Sequence, residues 1–164
     1  MATLRSRREL LTLSLGAGLA LPFGSANADD SAKADFEVVR VTGRVGWLGD
    51  ALRERFGLEL SPEASERTLA ITTAEAEVVP LLEDSRGRAF RLDERLRTME
   101  LELVVRRYQK TPLLQVLQIL EVTSDGSRAE LDYWCDVCAI AMFELKLCEC
   151  CQGPIELRRR PIAP

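Results

Sequence analysis

In 164 residues there is no histidine, and acidic side chains outnumber basic ones 26 to 22, for a formal charge of −4. Without imidazole, Ser-His-Asp and Cys-His nucleophilic chemistry is excluded, as is any zinc site that needs a histidine ligand. The acidic balance and an aromatic content of 5% also argue against a nucleic-acid partner, which needs clustered Lys and Arg and aromatic rings for stacking.

Residues 1–28, MATLRSRRELLTLSLGAGLALPFGSANA, combine a basic start, an apolar middle and a small-residue finish. They are expected to be a signal peptide cleaved after Ala28. Within it Ser6-Arg7-Arg8-Glu9-Leu10-Leu11 resembles the twin-arginine motif of the route that exports folded proteins; an ordinary secretion signal is the alternative. The apolar run is broken by Gly16, Gly18 and Pro22 and falls short of the ~20 apolar residues of a bilayer span. No stable membrane span is therefore expected after processing, and the expected location is exported, periplasmic or extracytoplasmic.

Residues 29–35, DDSAKAD, are small and charged and are expected to be disordered. FEVVRVTGRVGW then alternates as a long strand, with Phe36, Val38 and Val45 inward and a bulge at Gly43. LGDALRERFG places Leu48, Leu52 and Phe56 at fourfold spacing before Gly57, a short amphipathic helix with its stop. Pro62 and the polar run SPEASER close that connection. TLAITT and VVPLLED read as a hairpin whose Pro80 puts one strand at an edge. GRAFRLDERLRTM predicts a turn and a short helix. ELELVVRRY and LLQVLQILEV predict two strands joined by QKTP, and Asp125-Gly126 marks the next turn.

With the first helix treated as an insertion, the order strand, strand, strand, short helix, strand, strand resembles the OB fold, a five-stranded, partly closed barrel with its helix between the third and fourth strands. The expected class is thus mainly β (α+β), with an OB-like domain over 36–128. The resemblance carries no function, because that barrel hosts many unrelated ligands.

All five cysteines fall in YWCDVCAIAMFELKLCECCQGPIELRRR, at Tyr133–Arg160. Cys135-x2-Cys138 and Cys148-x2-Cys151 are separated by nine residues, with Cys150 inside the second pair. A two-residue gap lets the chain turn so that both sulfurs of a pair face one ion, and nine residues suffice for a return strand. Two such knuckles build a tetrahedral thiolate cage with Zn–S distances of ~2.3 Å. Gly153 stands where a tight knuckle wants a residue that tolerates positive φ.

This segment resembles a rubredoxin-like zinc ribbon, and most nearly the heavy-metal-binding domain of bacterial metal-transport proteins. That family's pattern is roughly Tyr-x-Cys-x-x-His, about ten residues, then Cys-x-x-Cys-Gly and an apolar-x-Leu ending. Tyr133-Trp134-Cys135-Asp136-Val137-Cys138 and Cys148 through Leu157 follow that outline. Cys138 replaces the family's histidine, Gln152 replaces its glycine, and Cys150 is surplus, so the choice between Cys150 and Cys151 stays open. The tail also resembles a family of exported bacterial proteins ending in YWCxxCAI…CxCCQGPxELR, which supplies no activity.

These resemblances imply a Cys-rich lobe over 131–160 that binds a metal ion, zinc first. Four thiolates also suit iron and monovalent copper. The ligands expected are Cys135, Cys138, Cys148 and Cys151, with Cys150 as substitute or transfer ligand. The expected role is binding, with no catalytic residue, and a metal that ties down a lobe too small for a core of its own. Metal capture or transfer, a CxxC thiol–disulfide couple and passive disulfides are the alternatives. The redox couple lacks the βαβ context that such chemistry uses. A protein or glycan partner for the β domain is a further class.

Other signals read as structural. Asp84, Asp93 and Glu94 among Arg86, Arg88, Arg91 and Arg95 are expected to form surface ion pairs. TGRVG lacks a phosphate-loop pattern. Trp47 and Trp134 are expected to pack, and Arg158-Arg159-Arg160 to form a solvated tail.

Overall fold

The computed structural model describes residues 35–162. The expectations for the leader and for residues 29–34 lie outside them. The described residues form a mainly β structure around one antiparallel sheet of eight strands. The first five are β1 (Phe36–Trp47), β2 (Leu69–Thr73), β3 (Val78–Pro80), β4 (Leu101–Tyr108) and β5 (Leu114–Val122). The last three are β6 (Arg128–Cys135), β7 (Ile140–Met142) and β8 (Glu156–Pro161). The helices are α1 (Leu48–Phe56), α2 (Pro62–Ser65) and α3 (Ala89–Leu92), with a 3₁₀ turn at Glu94–Thr98. Strand order is β3-β2-β1-β4-β5-β6-β7, and β8 pairs β6. The ladder does not close, although one parallel bridge joins Leu81, just after β3, to Leu114 at the start of β5.

β1 is long because it serves two ladders: Phe36–Gly43 pair with β4 and Gly43–Trp47 with β2. Gly43 belongs to both, and its neighbours approach so closely that a Cβ there would stand 2.2 Å from the Thr72 carbonyl oxygen. The glycine is thus needed for close approach; the expected bulge is absent from this strand's registers and lies instead between β4 and β5. Leu117 is the extra residue there, which keeps Leu114, Val116 and Ile119 all facing inward. The inward face of β1 also differs from expectation. Val41 and Val45 are buried, whereas Phe36 and Val38 are 38% and 57% exposed. Valines at 38, 39, 41 and 45 fit both alternation phases, and Val39, Val41, Gly43 and Val45 share the inward phase. Phe36 packs outside, edge-on to Tyr108 with ring centres 5.7 Å apart.

α1 spans the expected residues, and Gly57 closes it in the left-handed conformation with its N–H on the Arg53 carbonyl. β3, with Pro80, is the edge strand anticipated from that proline. Phe90 and Leu96, from α3 and the 3₁₀ turn, are fully buried in a core with Ile71, Leu103, Val105 and Val116. Cys135, Met142, Cys148 and Ile155 belong to the same buried cluster.

Two charged stretches depart from the surface reading. Asp93 is only 3% exposed: it caps the 3₁₀ turn through the Arg95 N–H, pairs with the Arg95 guanidinium and accepts the Tyr133 hydroxyl. The arginines at 158–160 lie in β8, where each is neutralised by a carboxylate: Arg158 by Asp132, Arg159 by Glu121 and Arg160 by Glu130. Cross-strand pairing, invisible in a local run of like charges, turns the expected tail into a strand. Trp47 and Trp134 pack as expected, Trp47 against the core with Arg91 near its ring and Trp134 beneath Arg158 at 3.8 Å.

Candidate metal centre

β6 runs from the middle of the sheet to Cys135, which ends it and pairs with Ile140 of β7. The turn between them is the first knuckle. The Ala139 N–H donates to the Cys135 carbonyl at 2.8 Å, and Ala139 takes a left-handed φ of 52°. The second knuckle repeats the first: the Gln152 N–H donates to the Cys148 carbonyl at 2.9 Å, and Gln152 has a φ of 56°. In both, the left-handed residue directly follows the second cysteine. The position expected of Gly153 is therefore held by Gln152. Gly153 serves space instead, because a Cβ there would lie 3.3 Å from the Cys151 sulfur.

The knuckles also aim backbone donors alike. Cys135 receives the N–H groups of Val137 and Cys138, and Cys148 those of Cys150 and Cys151. Each leading sulfur thus meets two amide dipoles suited to a thiolate.

The result is convergence. The Sγ atoms of Cys135, Cys138, Cys148 and Cys151 all lie within 4.8 Å of one another, so the four cysteines can hold a metal ion. The Cys135 and Cys151 sulfurs are 3.5 Å apart. A tetrahedron with arms of ~2.3 Å has edges of about 3.8 Å, whereas a disulfide bond is ~2.0 Å long. The five cysteines are free thiols. Cys135 and Cys148 are buried, Cys138 is half-buried, and Cys150 and Cys151 are exposed. Cys150 stands outside the four and is exposed.

Four thiols in one place cannot all ionise without a cation. The Cys151 and Cys150 N–H groups bring the Cys148 thiol down to about 7. Cys138 is pushed well up by its neighbouring thiols, Cys150 first and then Cys151. For Cys135 the Cys138 N–H works downward, but burial and the thiols of Cys148 and Cys151 raise it overall. One negative charge settles readily at Cys148; the others need a positive ion at the centre.

Neither CxxC pair opens a helix. A turn and β7 follow the first, and an irregular stretch and β8 follow the second, so the helix N-terminus that activates a redox cysteine is missing at both. Among the described residues no helix is long and apolar enough to cross a membrane. Away from the cysteines, an open groove of about 480 Å³ lies between α1 and the β1–β2 ladder, with Trp47, Arg55, Thr72 and Glu100 in its lining. Its charges are mixed, as in the Arg44–Glu100 pair at 3.2 Å.

No family model matches the chain, and no curated protein or solved structure is significantly similar to it.

Ala139 and Gln152 are the site residues that spacing did not reveal. Non-glycine residues at positive φ carry no compositional mark, and only the repeated placement after Cys-x-x-Cys connects them.

Proposed function

We propose that this is an exported metal-binding protein in which Cys135, Cys138, Cys148 and Cys151 hold one zinc ion, and that the ion's work is structural. The observation that carries the reading is the meeting of four sulfurs on two matching knuckles, each with its own backbone donors. Zinc suits the set because it imposes no geometry of its own and accepts four thiolates; iron and monovalent copper would take the same donors.

A structural role follows from how little the ribbon-like lobe over 131–160 buries by itself. Val137, Ile140, Phe143 and Leu147 are exposed, leaving mainly Met142, Cys148 and Ile155 to anchor the two loops. Metal binding and folding of such a segment are coupled. Cys135→Ser is therefore expected to lower the bound metal and expose residues 136–155 to proteolysis. A variant that stays protease-resistant with no metal would overturn the structural role.

The strand order β3-β2-β1-β4-β5, the Leu81–Leu114 parallel bridge and the placement of α3 between β3 and β4 support an OB-like barrel over 36–128 as the platform for this lobe. Export rests on the leader. Loading zinc in a reducing cytoplasm and crossing the membrane folded would shield the thiolates from oxidation, which is the physical reason to pair Arg7-Arg8 with the cysteines. Replacing both arginines by lysine is expected to block processing of the metallated form. Unchanged export would remove that part of the reading.

The groove beside Trp47 favours a second reading, in which the β domain binds a protein or glycan partner and the zinc only stabilises it. Trp47→Ala would then abolish partner capture while leaving metal content intact.

A further inference from the structure

The free edges of the sheet are not alike. β3 is three residues long and carries Pro80, β7 is also three residues long, and β8 carries Arg158, Arg159, Arg160 and Pro161. Short strands, prolines and charges are the usual guards against pairing with another chain. The first half of β1 is a further edge, because β4 pairs with Phe36–Gly43 whereas β2 pairs only with Gly43–Trp47. Its sequence FEVVRVT has neither proline nor lysine, and its registers show no bulge.

Backbone alternation fixes which groups lie on that edge. The Gln109 N–H donates to the Asp35 carbonyl, so the odd-numbered residues of this half of β1 bond to β4. The Leu48 N–H donates to the Thr68 carbonyl, so the even-numbered residues face the β2 side. β2 ends at Thr73, opposite Gly43. The N–H and C=O groups of Phe36, Val38 and Arg40 therefore point to a side where no strand stands among the described residues. Their side chains are exposed as well, and Val38, the middle one, is 57% exposed. The edge has no excess charge, because Glu37 pairs with Arg107 and Arg40 with Glu102.

We propose that this edge pairs with the same edge of a second copy of the chain, antiparallel about a two-fold axis at Val38, so that two sheets join into one. That register sets Val38 against its own counterpart and Phe36 against the partner's Arg40. Each open N–H and C=O of Phe36, Val38 and Arg40 then finds a backbone partner. Like charges do not oppose one another, since Glu37 falls opposite the partner's Val39 and Arg40 opposite the partner's Phe36. A charged peptide suits the edge less well, because its two charges are already neutralised, whereas its apolar centre matches itself. The pairing also closes: each copy uses its open edge, and the guarded edges admit no third chain. The proposal is independent of the metal reading.

Sedimentation of the exported protein over a concentration series up to about 1 mM tests it. Wild type should reach twice the mass of one chain. Val38→Pro removes an N–H that the β4 ladder does not use, so the protomer keeps its fold while the incoming strand loses a bond and meets the ring. Val38→Lys sets two like charges against each other at the axis. Both variants should hold the mass of one chain throughout the series, with a denaturant midpoint at low concentration close to that of wild type. A wild type that stays a single chain over the whole series overturns the proposal, and so does a dimer that survives both substitutions. Hydrogen exchange at the Arg40 amide gives a second readout. It should be slow in the wild-type dimer and fast in Val38→Lys. A slow Arg40 amide in wild type of single-chain mass would mean that residues 1–34 of the same chain cover the edge, which also overturns the proposal.

Discussion

Tyr133 donates its hydroxyl to Asp93 Oδ2 at 2.9 Å, joining residues 40 apart in the chain. Both are almost wholly buried. Tyr133 stands two residues before the first cysteine on β6, and Asp93 caps the 3₁₀ turn that packs Leu96 into the core. The bond therefore ties the strand that presents Cys135 to the connection between β3 and β4. Burial, and then the Asp93 carboxylate, push the Tyr133 hydroxyl well above its ordinary range, so it remains a neutral donor.

Tyr133→Phe removes that donor and leaves Asp93 buried with only Arg95. The expected loss is about 1–3 kcal/mol, typical of a buried polar group deprived of a partner. The denaturant midpoint measures it, and metal stoichiometry should not change, because the ring still fills its place.

The knuckles make a prediction of opposite sign. Gln152 occupies a left-handed conformation that costs a non-glycine residue roughly 1–2 kcal/mol. Gln152→Gly relieves that strain at some cost in unfolded-chain entropy, so a net gain of about 0.5–1 kcal/mol is expected. Gly153→Ala should act the other way by crowding the Cys151 sulfur. Competition against a zinc chelator should rank the three proteins Gln152→Gly, wild type, Gly153→Ala, from tightest to weakest.

A third prediction concerns acid. Glu102 accepts a two-pronged bond from Arg128 and another from Arg40, and these hold its carboxyl below the usual range despite burial. A carboxyl depressed by folding adds stability that is fully present above its unfolded value of about 4.3 and is lost as pH falls through the lower folded value. Wild type should therefore lose stability relative to Glu102→Gln below about pH 4.3. Thiolate protonation also acts in acid, but it affects both proteins. The difference between their unfolding curves isolates Glu102, and a difference that does not shrink on acidification would contradict the assignment.

The sulfur cluster was legible in the sequence because Cys-x-x-Cys geometry is local: the two-residue gap alone turns both thiols to one side. α1 and its Gly57 stop were legible for the same reason. What escaped depends on partners distant in the chain. Asp93 looked like one charge among many until Tyr133 covered it. The arginines of β8 looked solvated until Asp132, Glu121 and Glu130 lay across from them. Valines in both phases of β1 leave the choice of face to tertiary packing, which turns Phe36 and Val38 outward. Gln152 escaped because glycine is the usual sign of a left-handed residue and Gly153 was adjacent.

The most direct test of the metal centre is elemental analysis of the protein purified from its own compartment, paired with a count of free thiols before and after metal removal. One zinc ion per chain, with Cys135, Cys138, Cys148 and Cys151 reacting only after the ion is stripped, is the predicted result. Metal-free protein in which those four sulfurs are joined in disulfides would contradict it.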